Sequence, residues 1–593
     1  MSRRIDVRAV ALAAVLVLVP GAGAAQADGV HGDPLTGSGA VKRSALSSAD
    51  LTSGRSTAPV ADAAFALPHG AAPPRHRLEG TLRLLDTARA GGFEELVDLE
   101  RATDAGDHPL KHLPRFGVTL VQSGSHLIPQ RRGLTYTGSR TYNLIVSPGR
   151  VWSERGDRGM TRAALPFALV ERNANCVHNG SLTFLFDERT TSKVRYQVTQ
   201  ETCSYRKNDM WGQVRASLRR HRVAGARELA RQYATEVARR MPSKPLSALA
   251  RDYPAAGLDL SRFGAGITRE HMSAYGLVVR GVHYTAGCGT RHGTYPFCDQ
   301  LVLPSYSTAK SAFAGVGYML LAQRYGRAVG AETIARWIPE TAQAKGVWDD
   351  VTLDDALDMT TGNFDTADPH VDEGGPKLTR FFLAESYRDR LAAALEFPRQ
   401  AAPGTRWVYH TTDTFLALQA QNALLRSRAG KRAEIFATVR DDVFKPLSLP
   451  RESWVSLRTD NSDRGAAWGG YGLIWTSDSI AKLGRFLNND GGRVGGEQVL
   501  HPGLLAASMQ RDPADRGVST GGSMYNNGFW ALPFKQELYP RNRCSFSVPF
   551  MSGFGGITVA MAPNGITYYY VSDNSEWAWA GAVDETAKIA PMC

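Results

Sequence analysis

The run Leu303-Pro-Ser-Tyr-Ser-Thr-Ala-Lys-Ser-Ala-Phe-Ala-Gly315 places a serine and a lysine three residues apart, at Ser307 and Lys310. Residues at this spacing share one face of a helix. A lysine packed into an apolar helix start can lose its proton and then serve as the base that activates a neighbouring hydroxyl. The stretch therefore predicts a nucleophilic serine and an enzyme that works by acyl transfer.

A second Ser-x-x-Lys sequence occurs at Ser479-Ile-Ala-Lys482, so the surroundings must distinguish the two. Residues 312–322, which follow the first copy, are apolar on nearly every side, and this pattern is typical of a buried helix. The second copy follows the cap cluster Thr476-Ser-Asp478 in an amphipathic segment, which predicts that Lys482 points into water. Ser307 is therefore the favoured nucleophile.

The chain begins with the features of an export signal. Arg3, Arg4 and Arg8 precede an apolar stretch over residues 9–19, and Ala25-Gln-Ala27 has the small residues of a cleavage site. We therefore predict a signal peptide over residues 1–27 and a protein secreted to the extracellular or cell-envelope space. No later apolar run approaches the ~18 residues that span a bilayer, so no transmembrane segment is expected in the mature protein.

The six cysteines fall into close or end-anchored pairs, which favours three disulfides in an exported protein. The pairs are Cys176 with Cys203, Cys288 with Cys298, and Cys544 with Cys593. Six cysteines allow about 15 connectivities, so this one is favoured and not determined. Neither a Cys-x-x-Cys sequence nor a Cys/His cluster occurs, so a metal site is not expected. Asn179-Gly-Ser181 is a glycosylation sequon for a host that glycosylates exported proteins.

The formal net charge of +12 suits an anionic cell-envelope polymer as a partner. Much of this charge is arginine between Arg215 and Arg240, in a pattern that predicts a helix. A solvated helix face is the alternative interpretation of these arginines. Nucleic acid is not an expected partner, because the chain is exported and carries no binding motif for it.

The chain divides into a leader and two folded parts. Residues 28–80 are rich in Gly, Ser, Ala and Pro and predict a flexible leader. Residues 81–252 predict an accessory α+β domain, with a helix over residues 82–102, several strands and then the arginine-rich helix. Residues 253–593 predict one large domain.

Strand patterns at both ends of that large domain predict how it closes. Tyr275 to Tyr284 reads as two short strands, and residues 556–571 read as a hairpin around Asn564-Gly565. We therefore predict an α+β fold in which chain-distant strands complete one antiparallel sheet, flanked by helices and interrupted by a helical insert.

Two further segments supply candidate site residues. Pro403-Gly-Thr-Arg-Trp-Val-Tyr-His-Thr-Thr-Asp-Thr414 presents Tyr409, whose phenol could join the proton path of the nucleophile. His410 beside it could assist, and a loop or wall residue is the favoured interpretation. Phe550-Met-Ser-Gly-Phe-Gly-Gly556 offers Ser552, Gly553 and Gly555, where a close backbone could hold an oxyanion together with the N–H of Ser307.

In this order and spacing, the segments resemble the serine beta-lactamase-like and penicillin-binding-protein-related serine hydrolases of the class C type. The resemblance spans residues 275–572 and implies the fold described above, with Ser307 acylated, Lys310 as its lysine and Tyr409 as the site tyrosine. Leu357-Asp-Met-Thr-Thr-Gly362 and Tyr409-His-Thr-Thr-Asp-Thr414 are most similar to the branch named for 6-aminohexanoate-dimer hydrolase, a set of esterases and amidases.

The departures from the family pattern bear on the substrate. Thr411 stands where beta-lactamases of this type carry Asn, and Met551-Ser-Gly553 lacks their basic residue. A substrate carboxylate would lose a charged partner there, at a cost of ~1.5 to 3 kcal/mol. We therefore expect cleavage of neutral esters or amides, without a metal or organic cofactor. The alternatives are a D-Ala-D-Ala carboxypeptidase or beta-lactamase, and a catalytically silent envelope-binding protein.

Overall fold

The computed structural model describes residues 35–593 except 88–90 and 105, so the predicted signal peptide lies outside the described residues. Eleven strands between residues 79 and 220 form the first sheet, which is antiparallel throughout and runs in the order β11-β1-β3-β4-β6-β7-β8-β9-β10-β2, with β5 paired to β7. Their bounds are β1 Glu79–Leu84, β2 Gly91–Asp98, β3 Gly117–Ser123, β4 His126–Pro129, β5 Tyr142–Val146, β6 Gly149–Ser153, β7 Thr161–Glu171, β8 Val177–Phe186, β9 Val194–Thr202, β10 Arg206–Val214 and β11 Ala216–Arg220.

A second, nine-stranded sheet has the order β12-β14-β13-β26-β25-β24-β23-β22-β21, in which only the β12–β14 pair is parallel. Six further short strands pair as β15–β16, β17–β18 and β19–β20. The bounds are β12 Ser243–Pro245, β13 Met272–Val279, β14 Val282–Gly287, β15 Gly289–Thr290, β16 Gly293–Thr294, β17 Leu303–Pro304, β18 Ile474–Trp475, β19 Arg493–Val494, β20 Glu497–Gln498, β21 Val518–Ser519, β22 Met524–Asn526, β23 Phe529–Phe534, β24 Phe546–Gly553, β25 Ile557–Met561 and β26 Thr567–Ser572.

Most of the α-helices lie between the two chain-distant parts of the second sheet, as the predicted helical insert requires. Their bounds are α1 Ser48–Thr52, α2 Ala226–Ala238, α3 Leu249–Asp252, α4 Val316–Tyr325, α5 Ile334–Trp337, α6 Leu353–Leu357, α7 Pro376–Leu383, α8 Tyr387–Ala394, α9 Thr411–Ala429, α10 Ile435–Val439, α11 Ser477–Asn488, α12 Pro502–Ser508 and α13 Ala580–Thr586. Within the described ranges, none of these helices combines the length and the apolar character needed to span a membrane.

The second sheet closes as the sequence predicts. β13 pairs antiparallel with β26, with Tyr275 opposite Tyr570, so strands almost three hundred residues apart lie side by side. The hairpin between β25 and β26 turns at Asn564-Gly565, where Gly565 has a φ of 81° that favours glycine. The predicted α+β fold is confirmed.

The predicted flexible leader is wrong from residue 35 onward, because isolated apolar and charged residues anchor this segment to the first sheet. Leu51 and Phe65 are fully buried. The carboxylate of Asp62 accepts hydrogen bonds from Gln197 at 2.7 Å and Thr199 at 2.8 Å. The composition of the segment did not predict these contacts, since they are made by single residues in a stretch without periodicity.

Two predicted helices are also wrong in part. Residues 82–84 belong to β1 and residues 91–98 form β2, where a helix was predicted, because both strands gain partners far along the chain, in β11 and β10. A Cβ on Gly91 would lie 1.6 Å from the carbonyl oxygen of Trp211, so the glycine permits β2 to pair closely with β10. The arginine-rich segment begins as β11 and becomes helical only at α2. Residues 243–245, which fall within the predicted accessory domain, form the short strand β12 at the edge of the second sheet.

We call residues 35–242 the accessory region and residues 243–593 the carboxy-terminal region. One continuous apolar core crosses their boundary and includes Trp152 and Ala168 from the first together with Phe313 and Trp475 from the second. The two regions therefore pack as one body around a shared core.

The three predicted disulfides are all present, and none of the described cysteines is free. Cys544 and Cys593 are 49 residues apart, whereas Cys288 and Cys298 are only 10 apart. Closing a longer loop removes more entropy from the unfolded chain.

We expect the double substitution Cys544→Ala/Cys593→Ala to lower the free energy of unfolding by about 2 to 4 kcal/mol, measured by urea denaturation. The matched pair Cys288→Ala/Cys298→Ala is expected to cost about 1 kcal/mol less, because its loop is shorter. A larger loss from the short loop would contradict this ranking.

Candidate active site

Ser307 and Lys310 lie where strand β17 turns into the buried helix that begins the insert. Lys310 opens a π-helical turn over Lys310–Gly315 that continues directly into α4, and Ala312 and Phe313 are fully buried there. The Nζ atom of Lys310 lies 3.0 Å from the Oγ atom of Ser307. The shared face predicted from the spacing is therefore present, on a helix held in the core.

The Lys310 amine is enclosed by oxygen atoms. It donates to the Oγ1 atom of Thr411 at 2.8 Å and to the carbonyl of Gly470 at 3.2 Å, and the residue is only 1% exposed. Burial lowers the pKa of Lys310 to about 8, although the nearby carboxylates of Glu373 and Asp413 act in the opposite direction. A large fraction of this lysine is thus neutral near pH 8 and able to accept a proton.

Tyr409 approaches the same pair from the loop that leads into α9. Its ring centroid is 4.8 Å from the Lys310 Nζ atom, and its hydroxyl lies beside the Ser307 side chain. Burial, together with the charge of Glu373, raises the pKa of Tyr409 well above its ordinary value. Tyr409 is therefore a neutral phenol that can donate and relay a proton.

Glu373 is a member of this site that the sequence analysis missed. Its carboxylate accepts hydrogen bonds from the N–H of Thr411 at 2.9 Å and from the Thr411 hydroxyl. Thr411 in turn accepts from Lys310, so a chain of hydrogen bonds joins the carboxylate to the lysine. Burial raises the pKa of Glu373, while the charge of Lys310 opposes that shift. Thr411, first noted only as a departure from the family pattern, is the link in this chain.

We expect Glu373→Gln to move the rising limb of the pH–activity profile to lower pH. The negative charge of Glu373 raises the pKa of Lys310. Its removal therefore lowers that pKa and frees the base at lower pH, while the plateau changes by no more than about tenfold. The profile of kcat/KM from pH 5.5 to 10 measures this shift. Glu396→Gln, which alters a surface ion pair with Arg380, is the control, and an unmoved or alkaline-shifted limb would contradict the prediction.

The end of β24 lies against the turn that carries Ser307. A Cβ on Gly553 would meet the carbonyl oxygen of Ser305 at 2.9 Å and Cβ of Tyr306 at 3.3 Å. Ser552 precedes it and is partly exposed. The strand thus brings Ser552 and Gly553 close to the nucleophile's turn, and their part in an oxyanion hole stays a prediction.

Gly555 makes different contacts from those predicted for it. With a φ of 84°, it packs against Ser572, Asp573 and Ser204, and its carbonyl accepts hydrogen bonds from the Ser572 hydroxyl and the N–H of Asn574. Gly555 therefore forms the turn between β24 and β25, where a positive φ is required.

Aromatic side chains line one side of the site. Tyr409 stacks on Trp530, with centroids 6.0 Å apart, and Trp530 stacks on His370 at 6.3 Å and Phe550 at 6.1 Å. On the other side, the half-exposed Phe554 contacts Tyr306 at 5.5 Å. The surface beside Ser307 is therefore apolar and aromatic, which suits an uncharged substrate group.

His410 and the second Ser-x-x-Lys copy make structural contacts. Burial would lower the pKa of His410, but its bond to Asp372 at 3.0 Å and the neighbouring Asp413 raise it to about 9. The prediction for Lys482 is wrong: it is only 9% exposed, because it donates to Ser448 and pairs with Asp478 at 2.7 Å.

One group of metal-type ligands occurs among the described residues, formed by Glu171, His178 and Cys203. Cys203 is bonded to Cys176, and the Glu171 carboxylate already accepts hydrogen bonds from His178 and Arg206. A disulfide sulfur offers no thiolate to a metal.

Three solved structures similar to this chain have low sequence identity to it. A protein from Bacillus anthracis assigned as a 6-aminohexanoate-dimer hydrolase is 16% identical, with 58% of this chain and 81% of that chain covered at a TM-score of 0.40. A penicillin-binding protein homologue from Caulobacter crescentus is 18% identical, with 59% and 97% covered at 0.40. EstCE1, a hydrolase with promiscuous acyltransferase activity, is 15% identical, with 58% and 99% covered at 0.42.

A comparison with curated proteins gave no match. The family model described as Beta-lactamase matches residues 261–580, which is more than half of the chain and contains Ser307, Lys310, Tyr409 and the second sheet from β13 to β26. This protein belongs to the beta-lactamase family.

Proposed function

We propose that the protein is a secreted serine hydrolase that cleaves neutral ester or amide bonds through an acyl-enzyme on Ser307. The observation that carries this proposal is the 3.0 Å contact between Ser307 Oγ and the buried Lys310 amine, whose pKa is lowered to about 8. The family supports hydrolysis in general, and the residues around Ser307 support the narrower substrate class.

The proposed reaction assigns different proton tasks to Lys310 and Tyr409. Neutral Lys310 takes the proton of Ser307 as Oγ attacks the substrate carbonyl. The N–H of Ser307 and the backbone near Gly553 hold the negative oxygen that forms. Tyr409 then gives its proton to the leaving alcohol or amine, and it regains one from Lys310. Water, activated by the same groups, breaks the acyl–Oγ bond and restores Ser307.

The preference for an uncharged substrate rests on two features of the site. Met551-Ser-Gly553 supplies no basic residue for a substrate carboxylate. The ring of Trp530, stacked between Tyr409 and Phe550, instead offers an apolar surface there. We therefore propose acyl or leaving groups of apolar or aromatic character.

Labelling with a fluorophosphonate and, separately, with a fluorescent penicillin tests this proposal by intact mass. The phosphonate is expected to add once to the protein and to Ser479→Ala, but not to Ser307→Ala. Penicillin is expected not to add. Stable capture of penicillin would instead favour the D-Ala-D-Ala carboxypeptidase or beta-lactamase alternative, and the absence of any adduct would favour the silent envelope-binding protein.

An anionic cell-envelope polymer is the partner we propose for the accessory region. Four exposed arginines follow one another here: Arg219 on β11, Arg222 between β11 and α2, Arg227 on α2, and Arg239 directly after α2. Binding to dextran sulfate that weakens with salt, and that falls when these four are replaced by alanine, would support this partner. Unchanged binding would assign the arginines to a solvated face.

A further inference from the structure

The turn between β7 and β8, residues 172–176 of the accessory region, packs against the segments that hold Ser307 and Lys310. Asn175 in this turn is 1% exposed. Its Oδ1 atom accepts hydrogen bonds from the N–H of Tyr306 at 2.8 Å and the N–H of Gly472 at 2.9 Å. Its Nδ2 atom donates to the carbonyl of Leu473 at 3.3 Å. One buried amide thus joins two segments of the carboxy-terminal region.

The first of these segments contains Tyr306, the residue directly before the nucleophile. Tyr306 has a φ of 39°, a left-handed conformation that is strained for a bulky side chain and persists only when its surroundings hold it. Its hydroxyl lies 3.2 Å from Cys176 Sγ, and Asn175 fixes its N–H. The accessory region therefore holds Tyr306 at both its backbone and its ring.

The second segment carries the carbonyl that positions the lysine. Gly470, two residues before Gly472, accepts from Lys310 Nζ at 3.2 Å. Asn173 reaches the same loop by another route: its Oδ1 atom accepts from Arg390 at 2.6 Å, and Arg390 donates to the Tyr471 hydroxyl at 2.5 Å. Asn175 directly, and Asn173 through Arg390, therefore hydrogen-bond to the loop whose Gly470 contacts Lys310.

We infer that Asn175 is a positioning residue for Ser307 and Lys310, so that the accessory region forms a structural part of the hydrolase site. This inference rests on the proposed function. Asn175 acts through the backbone of Tyr306 and Gly472, and it holds the 3.0 Å separation across which the serine proton moves. The same packing buries Asn179, the asparagine of the glycosylation sequon. Asn179 is 1% exposed, and both the oxygen and the nitrogen of its side-chain amide hydrogen-bond to the backbone of Val302.

Asn175→Ala tests the inference, because it leaves two buried N–H groups without an acceptor and frees the strained turn. We expect kcat for a neutral ester to fall about 100-fold with KM changed by less than about threefold, since misplacement of the reacting groups lowers the rate without removing a substrate contact. The rate of fluorophosphonate labelling should fall in parallel. Asn175→Asp keeps the oxygen acceptors and is expected to recover kcat to within about tenfold.

Asn143→Ala is the matched control. Asn143 is equally buried in the accessory region and donates at 2.6 Å to Asn461, which makes no hydrogen bond to Ser307 or Lys310. The kcat of Asn143→Ala is expected to stay within about threefold of that of the parent protein, at a temperature where circular dichroism shows all variants folded.

Wild-type rates for folded Asn175→Ala would overturn the inference while leaving the proposed function intact. Equal losses in Asn175→Ala and Asn143→Ala would also overturn it, since both would then report general stability. If Asn175→Ala does not fold, a folded Asn175→Asp that lacks activity overturns it, and one that retains activity supports it. An unlabelled parent protein would instead reject the proposed function itself.

Discussion

Replacing Lys310 by alanine is expected to lower kcat/KM for a neutral ester by about 10³-fold, because the serine then lacks its base. The amine lies 3.0 Å from Ser307 Oγ, and it is the group that the proposed reaction uses to take the serine proton. Steady-state kinetics and the rate of fluorophosphonate labelling measure the loss, and both should fall together.

Lys482→Ala is the matched control for this substitution. Lys482 stands at the same spacing after Ser479 and is also largely buried, but it pairs with Asp478 and contacts the carbonyl of Ser448. Its removal is expected to lower stability and to leave kcat/KM of the folded protein within about threefold. Equal loss of activity in Lys310→Ala and Lys482→Ala would contradict the assignment of the base.

The pH dependence of the parent protein follows from the same lysine. Lys310 must be neutral to act as a base, and its pKa is lowered to about 8 by burial. Below that pH the ammonium form dominates, so kcat/KM should fall tenfold for each unit of decreasing pH. It should rise through about pH 8 to a plateau. A profile already flat from pH 6 upward would contradict this role for Lys310.

Local patterns were sufficient to predict the parts of the site that a single segment supplies. The spacing of Ser307 and Lys310 and the loop before Tyr409 predicted three groups that the structure brings together. The turn at Asn564-Gly565 and the strand patterns at both ends predicted the closure of the second sheet. Each of these signals depends only on a few adjacent residues and their backbone preferences.

The groups missed by the sequence analysis owe their positions to contacts between distant segments. Glu373 lies in the insert and reaches Lys310 through Thr411, and no motif marks it. Asn175 belongs to another region of the chain, and it reaches Tyr306 by a side-chain bond across the shared core. Tertiary pairing likewise overrode the helical pattern of residues 82–102.

Tyr409→Phe is expected to lower kcat by about 10² to 10³-fold for substrates with poor leaving groups, with a much smaller effect on a p-nitrophenyl ester. The pKa of Tyr409 is raised by burial, so its phenol is protonated at neutral pH and serves as the donor to the leaving group. An alkyl ester or amide needs that proton, whereas p-nitrophenolate leaves as an anion. The ratio of the two losses therefore reports the role of Tyr409 as an acid.

Tyr525→Phe separates that role from packing. Tyr525 lies in the same aromatic cluster, 5.1 Å from the Trp530 ring, but its buried hydroxyl has no hydrogen-bond partner among the described residues. Loss of this hydroxyl is expected to change kcat by less than about threefold with either substrate.

Equal losses for both substrates in Tyr409→Phe would show that the phenol holds Ser307 in place before the attack and takes no part in the departure of the leaving group. The proton for that step would then come from Lys310, the other group that lies against Ser307.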